Sequence, residues 1–177
     1  QARQLMHLYF ASTALKKQSG VGDAHVQPRP VRKIGVLGAG LMGAGISYVT
    51  TDKAQTPVRL KDQEPAGLNR GLAHIDRLIQ KRLQRRSLTP FAAEQARRRI
   101  TPTLDFSGFQ NVDLVIEAVF EDLRLKQQIV ADVEVNCPPT TIFATNTSSI
   151  PVAKIAEAAQ RPENVVGMHY FSPVEKM

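Results

Sequence analysis

The chain has 177 residues, 42% hydrophobic and 22% charged, with a formal net charge of +7. That length can bury a core, and the balance excludes a wholly disordered or collagen-like chain. The single cysteine, Cys137, excludes an intramolecular disulfide and fits a reducing compartment.

Arg3 precedes an apolar run from Leu5 to Leu15 that loosely mimics a signal peptide. Leu5, Leu8, Tyr9 and Leu15 recur at helical spacing, however, and Lys16 and Lys17 follow. The run reads better as an amphipathic docking helix. Residues 18–30 carry Gly20, Gly22, Pro28 and Pro30 without periodicity and read as a linker.

From Val31 the pattern becomes regular. Val31 to Leu37 reads as a strand, Leu41 to Thr51 as a helix, and Pro57 to Lys61 as a second strand. Residues 64–86 place Leu68, Leu72, Ile75, Leu78, Ile79 and Leu83 on one helical face, and 90–99 read as another helix. Together these form a helical hairpin inserted after the second strand. Thr101 to Leu104 reads as a weak strand and Val112 to Val119 as a strong one. A helix over Leu123 to Val135, a strand over Thr140 to Thr145, a helix over Val152 to Ala159 and a strand over Val165 to His169 complete the chain. Alternating strands and helices predict an α/β domain with a parallel sheet covered on both faces.

The charge is concentrated. Lys81, Arg82, Arg85, Arg86, Arg97, Arg98 and Arg99 face a single acid, Glu94, between residues 78 and 100. This is either a solvated helical face or a contact for a phosphate-bearing partner. Phe91 is the only aromatic there, which argues against nucleic acid. The longest uncharged run, Val135 to Ala153, is interrupted by Pro138, Pro139 and Pro151, which argues against a transmembrane segment.

The sharpest motif is Gly38-Ala39-Gly40-Leu41-Met42-Gly43, between a predicted strand and a predicted helix. That context makes a G-x-G-x-x-G loop a dinucleotide fingerprint. Gly38 permits the tight turn, Gly40 lets a pyrophosphate approach the backbone, and Gly43 lets the helix pack on the strand. The amides and dipole of the helix start favour the phosphates. Asp62 ends the second strand, 19 residues beyond Gly43. A carboxylate there accepts from a ribose 2′-hydroxyl and repels a 2′-phosphate, which favours NAD over NADP. The fold expected is therefore a Rossmann-type, doubly wound parallel sheet.

In such sheets the ligand lies beyond the carboxyl ends of the strands. The segments expected there are 119–121, 145–149 and 169–173. Of the four histidines, His7 falls on the docking helix, His25 in the linker and His74 in the basic helical segment. Only His169 falls at a strand end, where it is either a general base or a satisfied core histidine. Asn146 and Ser148 either cap the helix that follows or donate to a substrate oxygen or the nicotinamide amide. No metal constellation is recognisable.

Together these residues resemble the NAD-binding domain of the 3-hydroxyacyl-CoA dehydrogenases. The match covers most of residues 31–177 and rests on Gly38 to Gly45, Ile116-Glu117-Ala118-Val119-Phe120-Glu121, Asn146 to Ser149 and Gly167 to Pro173. The Ser172 to Met177 ending and the amino-terminal helix are similar to bacterial multifunctional fatty-acid oxidation complex alpha subunits. The resemblance implies NAD-dependent oxidation of 3-hydroxyacyl-CoA to 3-oxoacyl-CoA in β-oxidation, a cytoplasmic location and a thiolase beta subunit as partner. It implies that residues 1–30 are the tail of a connection from a preceding hydratase domain. Residues 31–177 are then the cofactor domain.

The resemblance assigns His169 as the catalytic base, Ser148 as the serine near the substrate oxygen and nicotinamide, and Asn146 as a neighbouring amide. Asp62 is the ribose acid. Gly38, Gly40, Leu41, Met42, Gly43, Val119, Phe120, Glu121 and Lys126 line the cofactor. Ser172 stands at a cofactor position where many relatives carry Asn. Lys81, Arg82, Arg85 and Arg86 are candidates for the phosphates of coenzyme A. The family's catalytic glutamate and helical substrate domain fall beyond Met177, so this piece is expected to bind NAD with little turnover. The competing reading is an NAD-sensing module without catalysis.

Overall fold

The computed structural model describes residues 2–15, 17 and 26–176. Lys16, the 18–25 part of the expected linker with His25, and Met177 lie outside them. The chain divides into two units, 1–30 and 31–177.

In the first unit, helix α1 (Ala2–Leu15) forms as its spacing predicts. The Thr13 hydroxyl donates to the Tyr9 carbonyl at 2.8 Å, and Tyr9 meets Phe10 edge-on. Leu5, Met6, Leu8, Tyr9, Phe10 and Leu15 are all exposed. Because several of these are sequence neighbours, the apolar surface is broader than the single stripe expected.

The second unit is a six-stranded parallel sheet. Its strands are β1 (Ile34–Leu37), β2 (Val58–Lys61), β3 (Ile100–Thr103), β4 (Leu114–Glu117), β5 (Ile142–Thr145) and β6 (Val165–Gly167), in the order β3-β2-β1-β4-β5-β6. The order reverses between β1 and β4, so the crevice of a doubly wound sheet opens there. Pro102, which cannot donate to a ladder, sits in the edge strand β3.

The two faces follow from alternation along the strands. Ile34, Val36, Leu114, Ile116 and Ala144 point to one face. They pack with α2 (Leu41–Lys53), α3 (Pro65–Gln84) and α4 (Pro90–Arg98) through Ala44, Ile46, Leu68, Ile75, Ile79 and Ala96. Leu37, Val115 and Phe143 point to the other, against Ile129, Val130 and Val133 of α5 (Leu123–Asn136) and Ile155 of α6 (Val152–Ala156). Prolines open α3 and α4, Thr89 caps α4, and Asp122 caps α5 by accepting from the Leu125 amide.

Several strands and one helix are shorter than the hydrophobic runs that predict them. The Arg32 and Lys33 amides donate to the Asp113 carboxylate, so β1 starts only at Ile34. Val112 closes a turn onto the Phe109 carbonyl, which delays β4 to Leu114. The end of α6 tightens into i→i−3 bonds at Ala158 and Ala159, ending the regular helix at Ala156. Among the described residues no helix is long and apolar enough to cross a membrane.

Candidate active site

The glycine turn lies at the carboxyl end of β1. Gly38 takes φ +93°, and a Cβ there would meet the Ala118 carbonyl oxygen at 2.6 Å. A Cβ at Gly43 would lie 1.8 Å from the Gly38 carbonyl oxygen, so the first turn of α2 is seated directly on β1. At Gly40 a Cβ would meet nothing within 4 Å. The backbone there faces open space beside the first amides of α2, which have no intrahelical acceptor. This is a cradle of the kind a pyrophosphate fills.

Sequence reading missed a third close approach. A Cβ at Gly71 on α3 would lie 2.4 Å from the Ala39 carbonyl oxygen, so α3 presses on the outside of the same turn. An isolated glycine inside a helical pattern is the signal that marks it. Asp62 completes the cradle. Its carboxylate accepts from the Ala39 amide at 2.7 Å and from the Glu64 amide at 3.1 Å. Leu41 and Phe120 are exposed beside the turn, while Met42 and Val119 are half-buried and pack into the two cores.

The other wall is built by the ends of β4, β5 and β6. Ser148 Oγ lies 2.8 Å from His169 Nε2, and both side chains are exposed. Phe171 packs edge-on against the His169 ring. Asn146 is a brace: its side-chain carbonyl accepts from the Tyr170 amide at 2.7 Å, and its own amide donates to the Glu117 carbonyl. Its carbonyl is therefore spent on holding the histidine segment, and only its NH2 group remains to donate. Ser172 is exposed and precedes Pro173 through a cis peptide.

Glu121 gathers the turn that carries Ser148. One of its carboxylate oxygens accepts from the Thr147 hydroxyl, from the Ser148 and Ser149 amides at 3.0 Å, and from the Ser149 hydroxyl at 3.1 Å. Partial burial pushes the Glu121 carboxyl up. The bonds from Thr147, Ser149 and Ser148 and the charge of Lys126 outweigh that and bring it down to about 2. Lys126 is buried, with its ammonium bonded to Glu117 at 2.7 and 2.8 Å and 3.3 Å from Glu121. It reaches the cleft through Glu121. Glu117, fully buried at the end of β4, is a residue that sequence reading placed in a motif without giving it a role.

The basic segment is less uniform than its sequence. Arg82, one of the candidates for a phosphate, is already engaged within the chain. Its guanidinium donates to Asp52 at 2.6 Å, to the Tyr48 hydroxyl and to the Ser87 carbonyl. Bonds to Tyr48 and Asp52 hold it charged. Arg97 is paired with Asp76 and Arg98 with Glu94. Lys81, Arg85 and Arg86 are exposed.

The family described as "3-hydroxyacyl-CoA dehydrogenase, NAD binding domain" matches residues 33–177. The fatty acid oxidation complex subunit alpha of Shewanella loihica is 52% identical over all 177 residues, which make up 25% of that protein. The chain thus spans about a quarter of the length of the curated relatives it matches. Among solved structures, 3-hydroxybutyryl-CoA dehydrogenase from Escherichia coli superposes with a TM-score of 0.81 at 36% identity, over 84% of this chain and 31% of that one. FadB2 of M. tuberculosis gives 0.79 at 33% identity, over 82% of this chain and 51% of that one.

Proposed function

The chain belongs to the 3-hydroxyacyl-CoA dehydrogenase NAD-binding family, and on that premise we propose that it is the cofactor half of an enzyme that oxidises 3-hydroxyacyl-CoA to 3-oxoacyl-CoA. The observation that carries this reading is the Ser148–His169 contact, set 2.8 Å apart at the strand ends. It separates the enzyme from a sensing module, because a site that only binds a dinucleotide has no use for an exposed base paired with a hydroxyl.

The residues fit NAD. The open backbone at Gly40 and the first amides of α2 hold the pyrophosphate, with Gly38 and Gly43 shaping the turn. Asp62 retains acceptor capacity for a ribose hydroxyl. Leu41, Met42, Val119, Phe120 and Glu121 border the same cleft. The bound nicotinamide supplies a hydride acceptor. A substrate hydroxyl that displaces the direct Ser148–His169 contact would lie against both groups, and the imidazole nitrogen would take its proton. The serine hydroxyl would donate to the oxygen left behind. His169 would thus hold the proton of the alcohol, with the hydride from C3 accepted by a bound nicotinamide, so that the alcohol carbon becomes a carbonyl.

The larger context belongs to the same proposal. Residues 1–30 connect to a preceding domain of a multifunctional alpha subunit, with residues 31–177 as its NAD-binding domain. That subunit works in the cytoplasm with a thiolase beta subunit. The relatives' description as the alpha subunit of a fatty acid oxidation complex supports membership of a complex. Exposed Lys81, Arg85 and Arg86, near the end of α3, are the proposed candidates for the phosphates of coenzyme A, a reading that rests on their charge and exposure.

The test is binding first. NADH fluorescence titration of the 177-residue chain should saturate, and NADPH should bind at least about tenfold more weakly, a difference of roughly 1.4 kcal/mol. Failure to bind either cofactor would overturn the reading.

A further inference from the structure

We infer that Glu117 and Lys126 are positioning residues: a buried ion pair beneath the cleft that fixes Glu121, which in turn sets Ser148 against His169. The inference rests on the Ser148–His169 reading above and extends it one layer inward.

The pair is sealed. Glu117 and Lys126 side chains are 0% and 1% exposed. One Glu117 oxygen accepts from the Val119 amide at 2.8 Å and from Lys126; the other accepts from Lys126 and from the Thr145 hydroxyl at 2.7 Å. Glu117 is also register partner to Thr145 across β4 and β5. The carboxylate is therefore anchored to two strands and to the turn after β4.

Such a pair is a poor device for stability alone. Removing two charges from water costs several kcal/mol per ion, and an apolar pair of the same volume often holds a core equally well. What an apolar pair cannot do is reach Glu121. The Lys126 ammonium makes that connection, 3.3 Å from the Glu121 oxygen that the 147–149 turn leaves free. With one oxygen held from below, the other is aimed at four donors on that turn. The chain of contacts runs Glu117, Lys126, Glu121, Ser148, His169, and its last two members are the only exposed polar pair at the ends of β5 and β6 among the described residues.

The experiment compares the parent chain with Glu121→Gln and with the double variant Glu117→Gln/Lys126→Met, all without cofactor. Two NMR readouts are used: amide hydrogen exchange at Ser148 and Ser149, and the ring-nitrogen shifts of His169, which report its tautomer. In the parent the two amides should be protected and His169 should hold one tautomer. In both variants, protection at Ser148 and Ser149 should fall at least about tenfold, the loss of roughly 1.4 kcal/mol of local opening energy. The His169 signals should average between tautomers. Amides in the centre of β1 and β4 should keep their protection, which a role in core support alone would not allow. Retained protection and a single His169 tautomer in either variant would overturn the proposal. So would a double variant that fails to fold, because the pair would then be core support. Because no cofactor is present, the outcome is independent of whether NADH binds; a parent that fails to bind NADH would sink the proposed function instead.

Discussion

The carboxylate of Asp62 accepts a hydrogen bond from the Ala39 amide at 2.7 Å, tying the end of β2 to the glycine turn. The same carboxylate is the group proposed for the ribose, so on that proposal one side chain both shapes the turn and reads the cofactor. Asp62→Asn should weaken NADH binding roughly ten- to a hundredfold, the worth of about 1.5–3 kcal/mol for a hydrogen bond to a charged acceptor. It should weaken NADPH binding less, since a 2′-phosphate no longer meets a like charge. Calorimetric titration with both cofactors reads the two effects; an unchanged preference would remove Asp62 from the site.

Two glycines in one loop should fail in opposite ways. A Cβ at position 40 meets nothing, whereas one at position 43 runs into the Gly38 carbonyl. Gly40→Val should therefore keep the circular dichroism and melting point of the parent while losing NADH binding. Gly43→Ala should lower stability by about 1–3 kcal/mol or more, because neither backbone can yield without disturbing the seat of α2 on β1. A stable Gly43→Ala protein would contradict the packing described.

Arg82 should matter for stability. It bonds Asp52, whose side chain is 7% exposed, at 2.6 Å, while exposed Lys53 stands off from the other oxygen of that carboxylate at 3.6 Å. Arg82→Met should cost about 1.5–3 kcal/mol, the range for hydrogen bonds to a charged group. Adding Asp52→Asn should recover part of the loss, because the stranded charge is removed with its partner. Urea unfolding of the single and double variants gives both numbers.

Cys137 is buried, and desolvation pushes its thiol up from 9.0 to about 12. The thiolate is the reactive form, so a disulfide reagent at pH 8 should modify it only after unfolding. The linkage has a definite sign. Between pH 9 and about 12 the unfolded thiol loses its proton while the native one keeps it, so stability falls as pH rises through that window. Cys137→Ala should flatten that part of the stability profile.

Much of this was legible in the sequence. Val36, Val115 and Phe143 sit in short β-rich runs, and Leu68, Ile75 and Ile79 recur at helical spacing, so the strands and helices emerge from period alone. Gly38 to Gly43, Asp62, Ser148 and His169 were readable because strand ends converge on one crevice in a doubly wound sheet. The illegible features are pairings without a local period. Arg82 meets Asp52 thirty residues away, and Lys126 meets Glu117 inside the protein, where composition places charges outside. By residue type and spacing alone, each of these side chains looks like an ordinary surface charge. Asn146 was legible as a polar group at a strand end, but its service as a brace for Tyr170 depends on the spacing of β5 and β6 in space.

The most direct test of the account is turnover by an alpha subunit containing these residues, with His169→Gln against the parent. The substrate is 3-hydroxybutyryl-CoA with NAD, and the NADH dissociation constant is measured on the same samples. The contact of His169 with Ser148 predicts that kcat falls by about 10²–10⁴, the usual contribution of a positioned general base. NADH affinity should stay within about threefold, since the glycine turn and Asp62 are untouched. Turnover that survives the substitution would contradict the assignment of His169 as the base.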